Sequence, residues 1–228
     1  MLAACCLFVT VFIYLGSKRL YIRIPRAYLT PLIITPAAVI LIVLWGDVPY
    51  SSYNNGTKWL TDMIGPATVT LAVPLYKNLG ILKKHAAAIV AGVLSGAILA
   101  ILTSVLLAEA LHLSPSLAES LAPRSATTPI AMAVAGAIGG IPNMTAVFVL
   151  ITGILGVVAG PLVIRLLRID NEIARGVLLG TSSHTAGTSK AFEFGAVAGS
   201  ISSIAMILTA FITLCAAPWI MSLVLLLP

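Results

Sequence analysis

Charge is the scarcest property of this sequence. Only 9% of its 228 residues are Asp, Glu, Lys or Arg, where an ordinary soluble domain carries roughly a quarter. So thin a polar coat excludes a soluble globular domain. Thirteen basic residues stand against seven acidic ones, but no basic patch interleaved with aromatics exists, which sets nucleic-acid binding aside. Cysteine is nearly absent as well. Cys5, Cys6 and Cys215 have neither metal-ligand spacing nor a plausible disulfide framework, and read as small apolar filler. There is no phosphate-binding glycine loop, no HExxH and no spaced Cys/His set. A hydrolase built from Ser182 or Ser183 with His184 fails because adjacent helical residues point apart and no partner carboxylate is evident. The chain is therefore read as no enzyme, without metal or cofactor.

Hydrophobicity is what the sequence has: 60% apolar residues and a mean hydropathy of +1.10. Apolar runs long enough to span recur along the whole chain, each needing about twenty residues, so a lone signal peptide on a soluble body is excluded. In lipid only helices or closed barrels satisfy the backbone. Runs such as 86–108 lack the period-2 alternation of barrel strands. The expected fold is an all-α integral membrane protein, one polytopic domain over residues 1–228, with about seven membrane segments.

The first span is read as 1–16, followed by a short basic loop with Lys18, Arg19, Arg23 and Arg26, then a second span at 29–45. Residues 46–58 are polar, and Trp45, Tyr50, Tyr53 and Trp59 are placed as an interfacial aromatic belt. The segment 60–82 contains Gly65-Pro66 and Pro74 and is expected to be kinked or broken. The cleanest span is 86–108, where Gly92 and Gly96 form a small-xxx-small face for close helix packing. A loop at 109–123 with Glu109, His112 and Glu119 follows on the outside, then an interrupted piece at 124–141 and a span at 144–167.

The positive-inside rule puts the first basic loop and the Arg165, Arg168, Arg175 group in the cytoplasm. A full crossing by 124–141 would deliver the second group outside. That piece is therefore read as a re-entrant hairpin or broken element, which is tolerated where backbone lines a cavity. The chain dips in again through 176–190 and ends with the apolar stretch 197–227.

An internal echo sets Ala67, Thr68 and Ala72 against Ala126, Thr127 and Ala131, each polar piece being followed by a Gly-bearing span. Secondary transporters are commonly built from such repeats, with interrupted helices meeting at the midplane. Inverted and parallel arrangements both stay open here.

The densest polar stretch is Gly-Thr-Ser-Ser-His-Thr-Ala-Gly-Thr-Ser-Lys, Gly180 to Lys190. Unpaired in hydrocarbon, these groups would cost several kcal/mol, so they must face protein or water. One reading is a water-lined substrate site: Gly180 and Gly187 loosen the backbone, Thr181, Ser182, Ser183, Thr185 and Thr188 donate and accept, and His184 binds a carboxylate or shuttles a proton. The other is that the hydroxyls bond back to their own helix and His184 bridges helices. Arg124, before Ser125, Thr127 and Thr128, is either a clamp for a small carboxylate or an anchor snorkelling to headgroups. Asn143 and Thr145 either line the same cavity or cap the next helix. Lys190 is expected to pair with Glu193, and Asp170, Glu172 and Arg175 to cap the helix that follows them.

Taken together, Gly65-Pro-Ala-Thr68, Pro123-Arg-Ser-Ala-Thr-Thr128, Arg168-Ile-Asp-Asn171 and Leu179-Gly-Thr-Ser-Ser-His184 with Gly187-Thr188 resemble the LrgB/CidB family, which includes the YohK proteins. The resemblance implies a multi-pass protein of the bacterial inner membrane with a small LrgA/CidA-type membrane partner. It also implies two functional classes: holin/antiholin-like modulation of murein hydrolase activity and cell lysis, or, by likeness to plastid relatives, carriage of small monocarboxylates such as glycolate, glycerate or pyruvate. The interrupted helices and dense polar site favour a dimeric carrier, with Thr68, Arg124, Ser125, Thr127, Thr128, Asn143, Ser182, Ser183, His184, Thr185, Gly187 and Thr188 lining the substrate path.

Overall fold

The computed structural model describes residues 2–24, 29–63, 66, 69–70 and 72–224. Among these residues every regular element is a helix, as expected where lipid leaves the backbone no partner but its own helix. The chain divides into two compact units, Met1–Thr70 and Leu71–Pro228.

The first unit contains α1 (Leu2–Arg23), α2 (Pro31–Trp45) and α3 (Tyr50–Asp62), with α1 packed on both others. Hydroxyl pairs stitch them together, Thr10 to Tyr53 at 3.2 Å and Ser17 to Thr35 at 2.8 Å. Two expectations are corrected here. Lys18, Arg19 and Arg23 belong to the end of α1 and not to a loop, since Lys and Arg are good helix formers whose stems reach headgroup level while the backbone stays helical. Arg26 lies outside the described residues. The polar stretch at 46–58 is largely the helix α3, hydrophilic overall, with Thr57 its buried residue and Tyr50 and Trp59 exposed.

The second unit begins with two short helices, α4 (Ala72–Lys77) and α5 (Leu79–Lys84), which part at Asn78; with α3 ending at Asp62 the segment 60–82 is interrupted, and Pro74 lies inside α4. Gly65, Ala67 and Thr68, which carry the first arm of the internal echo, lie outside the described residues. Three long helices follow, α6 (Ala86–Ala110), α9 (Pro142–Leu166) and α11 (Ala196–Val224). With Cys5–Arg23 of α1 they make four helices long and apolar enough to cross a membrane among the described residues. Pro31–Trp45 and Thr128–Ile138 are apolar but shorter. Four crossing-length helices thus stand where about seven segments were expected, and the remaining polar pieces are short helices or chain reversals.

The first reversal joins α7 (Pro115–Leu121) to α8 (Thr128–Ile138). The chain returns to the level it left: Ile141 N–H donates to Ser120 Oγ at 2.7 Å, and a Cβ on Gly140 would sit 2.8 Å from Ser120 N. Gly139 ends α8 at φ +101°, a left-handed turn that favours glycine. The tip of this reversal is 122–127.

The second reversal lies inside α10 (Glu172–Phe194), whose helical dihedrals fail at Ser183 and His184. A straight helix of this length would part its ends by roughly 33 Å. Instead, a Cβ on Gly195 would meet the Glu172 carboxylate at 2.7 Å, Arg175 lies 5.5 Å from the Phe194 ring centroid, and a Cβ on Gly187 would fall on the Leu179 carbonyl. The chain enters as 172–182 and comes back as 185–194. Asn171 caps the entry, its Oδ1 accepting from Ile173 N–H at 2.8 Å and Ala174 N–H at 3.2 Å, while Arg175 bonds Ile169 O and Asp170.

The helix α11 is the spine of this unit. Ile201 and Ala205 pack on Ile89 and Val93 of α6. Ala210 joins Ala126, Ala131 and Val149, and Ala217 and Met221 join Ile101, Val105, Ala122 and Val134. Lipid tails are as apolar as these side chains, so close packing and interhelical hydrogen bonds hold the bundle, not expulsion of water. That is why its buried face is rich in Ala and Ser, including Ala198, Ser200, Ser202 and Ser203. The glycine face of α6 serves the same end, with Gly92 against Val177 and Gly96 against Thr181.

Candidate functional site

Both reversals pack on α9 in the neighbourhood of Val149. From the first, Ala126 shares a buried cluster with Val149. From the second, His184 Nε2 lies 3.0 Å from the Val149 carbonyl, a bond that requires the Nε2–H tautomer. Two hydrophilic breaks from separate stretches of chain therefore converge within one helix bundle.

Beside this junction is a cavity of about 320 Å³ whose lining includes Arg124, Thr152, Gly156, Gly160, Ser182 and Ser183. Arg124 reaches it from the first tip. Its polar contact among the described residues is through Nε–H, which donates to Ser104 Oγ at 2.7 Å. The ion pairs among the described residues are Arg175 with Asp170 and Lys190 with Glu193, and neither involves Arg124. Among the described residues the guanidinium thus stands half-buried without a carboxylate, in a cavity that Thr152, Ser182 and Ser183 also line. In a medium of low dielectric such a charge favours an anion strongly.

The other expected site residues divide by position. Ser125 is buried in the first tip, Thr127 is the extended residue that opens α8, and Thr128 is the first residue of that helix. Ser182 and Ser183 pair their hydroxyls at 3.0 Å at the second tip. Thr185 and Thr188 turn toward α11, where Thr185 O–H donates to Met206 Sδ at 3.4 Å and Thr188 shares a 3.0 Å bond with Ser202. Gly187 packs on the Leu179 carbonyl, which makes it a hinge residue of the reversal and not a liner of the cavity. Asn143 is exposed in the first turn of α9, at the end of that helix away from the cavity, and Thr145 bonds back to Ile141 O at 3.2 Å. The back-bonding alternative thus holds for Ser189, which donates to Thr185 O, whereas Ser182 and Ser183 bond each other beside the break and Thr188 bonds between helices. The expected Lys190–Glu193 pair forms at 2.6 Å.

Sequence reasoning passed over three residues of this region. Ser104 follows Thr103 in one apolar span, Thr152 lies in another, and Gly156 is one glycine among several in α9. Only the tertiary contacts single them out.

The second tip is strained. His184 adopts φ +42° and ψ −134°, a conformation glycine accepts and other residues hold at a cost of about 1–3 kcal/mol. Its bond to Val149 and its fit beside Gly153 compensate, since a Cβ on Gly153 would lie 2.9 Å from His184 Cε1. His184→Ala removes the bond and keeps the strain, whereas His184→Gly removes both. His184→Gly should therefore be the more stable variant by about 1 kcal/mol in detergent unfolding. Equal stabilities, or the reverse order, would mean that the tip carries no such strain.

The sequence profile of the LrgB-like family matches residues 10–223. The uncharacterized protein YwbG of Bacillus subtilis (strain 168) is 57% identical over 95% of this chain and 96% of its own length. The uncharacterized protein YxaC of the same strain is 39% identical over 88% of this chain and 87% of its own. The Holin-like protein CidB of Staphylococcus aureus (strain Mu50 / ATCC 700699) is 34% identical over 90% of this chain and 89% of its own. No solved structure matches the chain. Crossing-length apolar helices, a profile covering nearly the whole sequence and full-length bacterial relatives lead to one conclusion: the chain belongs to the LrgB family and is a multi-pass bacterial membrane protein.

Proposed function

We propose that this chain works as a holin-like protein of the bacterial cytoplasmic membrane, modulating murein hydrolase activity and cell lysis together with a small LrgA/CidA-type membrane partner. The observation that carries this reading is the near full-length likeness to a protein named Holin-like protein CidB. If it acts so, the purified chain in liposomes should release trapped dye without selecting among solutes, and its loss from cells should change autolysis. Liposomes that stay tight to dye would sink a direct pore.

A second reading, carriage of small monocarboxylates such as glycolate, glycerate or pyruvate by a homodimer, has support of its own in the geometry. The supporting observation is the junction near Val149: two chain reversals packed on α9 and a guanidinium without a carboxylate partner among the described residues, lining a cavity of about 320 Å³. Broken helices that come together beside a cavity are a common basis of alternating access. In this reading Arg124 takes the carboxylate and Ser182, Ser183 and Thr152 bond the rest of a small hydroxy- or oxo-acid. Saturable uptake of labelled pyruvate or glycolate, abolished by a change at Arg124, supports the carrier. Flux that rises linearly with concentration in both forms removes it.

A further inference from the structure

A guanidinium offers a carboxylate two matching edges, the side edge of Nε with one Nη and the end edge of the two Nη groups. In this protein the side edge is taken. Arg124 Nε–H donates to Ser104 Oγ at 2.7 Å, and the proton of that hydroxyl is itself committed to the Ala100 carbonyl at 2.6 Å. Ser104 can therefore offer Arg124 only a lone pair. It sits 5% exposed on α6, one of the long helices of the bundle, and so gives the arginine a fixed point of attachment.

Resting on the carrier reading of the Arg124 cavity, we infer that Ser104 is a positioning residue: by occupying Nε it turns the end edge of the guanidinium toward Ser182 and Ser183, so that a small carboxylate binds end-on. Arg124 itself comes from a tip of turns and not from the body of a helix. Its long side chain would otherwise have to give up rotamer freedom when the anion arrives. Held by Ser104, it has given that freedom up beforehand, which is how preorganised sites gain affinity.

The test uses the full chain in detergent, with pyruvate as the probe and calorimetric titration as the readout. Ser104→Ala should weaken pyruvate binding about tenfold, the size expected for one hydrogen bond to a charged group. Ser104→Thr keeps the hydroxyl and should stay close to the parent. In an Arg124→Lys background, which has no Nε–H edge to orient, Ser104→Ala should have little further effect, a non-additivity that a purely structural serine would not produce. Unchanged binding in Ser104→Ala, or an effect that adds in full to that of Arg124→Lys, overturns the role of Ser104 while the carrier reading stands. A parent protein that binds neither pyruvate nor glycolate removes both.

Discussion

Gly156→Val should be among the most damaging single changes in the second unit, costing about 3 kcal/mol, the upper end of the usual range for overpacking. A Cβ built on Gly156 falls directly on the Ser183 side chain. Here the reversal of α10 comes so close to α9 that no side chain fits between them, and Ser183 is only 1% exposed. Gly160 and Gly153 continue the same notch, against Leu179 and His184. A valine at 156 must push the tip out, break the His184–Val149 bond and open the cavity at Ser182 and Ser183. Thermal unfolding in detergent reads the loss. Gly136→Ala is the control, since its added Cβ would meet Pro142 at an ordinary 3.6 Å and alanine favours helix over glycine by up to about 1 kcal/mol. Gly156→Ala should already destabilise, and Ser183→Gly in the same chain should recover part of the loss by vacating the notch. If Gly156→Ala and Gly136→Ala behave alike, the two helices do not approach as closely as the contacts at Ser183 require.

The sequence disclosed the long spans well because their signal is local. An unbroken apolar run marks the helix wherever it packs, and the span read at 86–108 is the helix Ala86–Ala110. The reversals were legible for a different reason. Charge bias argued for a re-entrant or broken element at 124–141, and six hydroxyls beside a histidine and a lysine argued for a polar setting at 180–190. What stayed hidden was anything that depended on a partner. The helix α3 is hydrophilic overall and its Asn54-Asn55-Gly56 run reads as a loop, and Ser104 and Thr152 look like any hydroxyl that bonds back to its own helix. Ser104 does bond back, to Ala100, and its second role exists only because the first reversal carries Arg124 to it. Asn143 was grouped with the site because it lies near Pro142 and the glycines, whereas the cavity beside Arg124 is lined by the later part of α9, from Thr152 to Val163.

These contrasts bear on what Arg124 is for. If it is an anchor, its charge stabilises the fold and its removal should cost stability whether or not an anion is present. If it is a clamp, the protein keeps a half-buried charge unpaired at a cost, because an isolated charge in a poor dielectric is destabilising until its partner arrives. Arg124→Gln separates the two, since glutamine can still donate to Ser104 but carries no charge. For a clamp, the variant should unfold at the same temperature as the parent or higher when no anion is added. With pyruvate at a hundred times its dissociation constant the parent should gain about 2.7 kcal/mol of stability, and the variant should gain nothing. For an anchor, the variant should be weaker in both conditions and pyruvate should act on the two proteins alike. The clamp reading rests on Arg124 having, among the described residues, a polar bond to a serine inside the bundle and no carboxylate to compensate its charge.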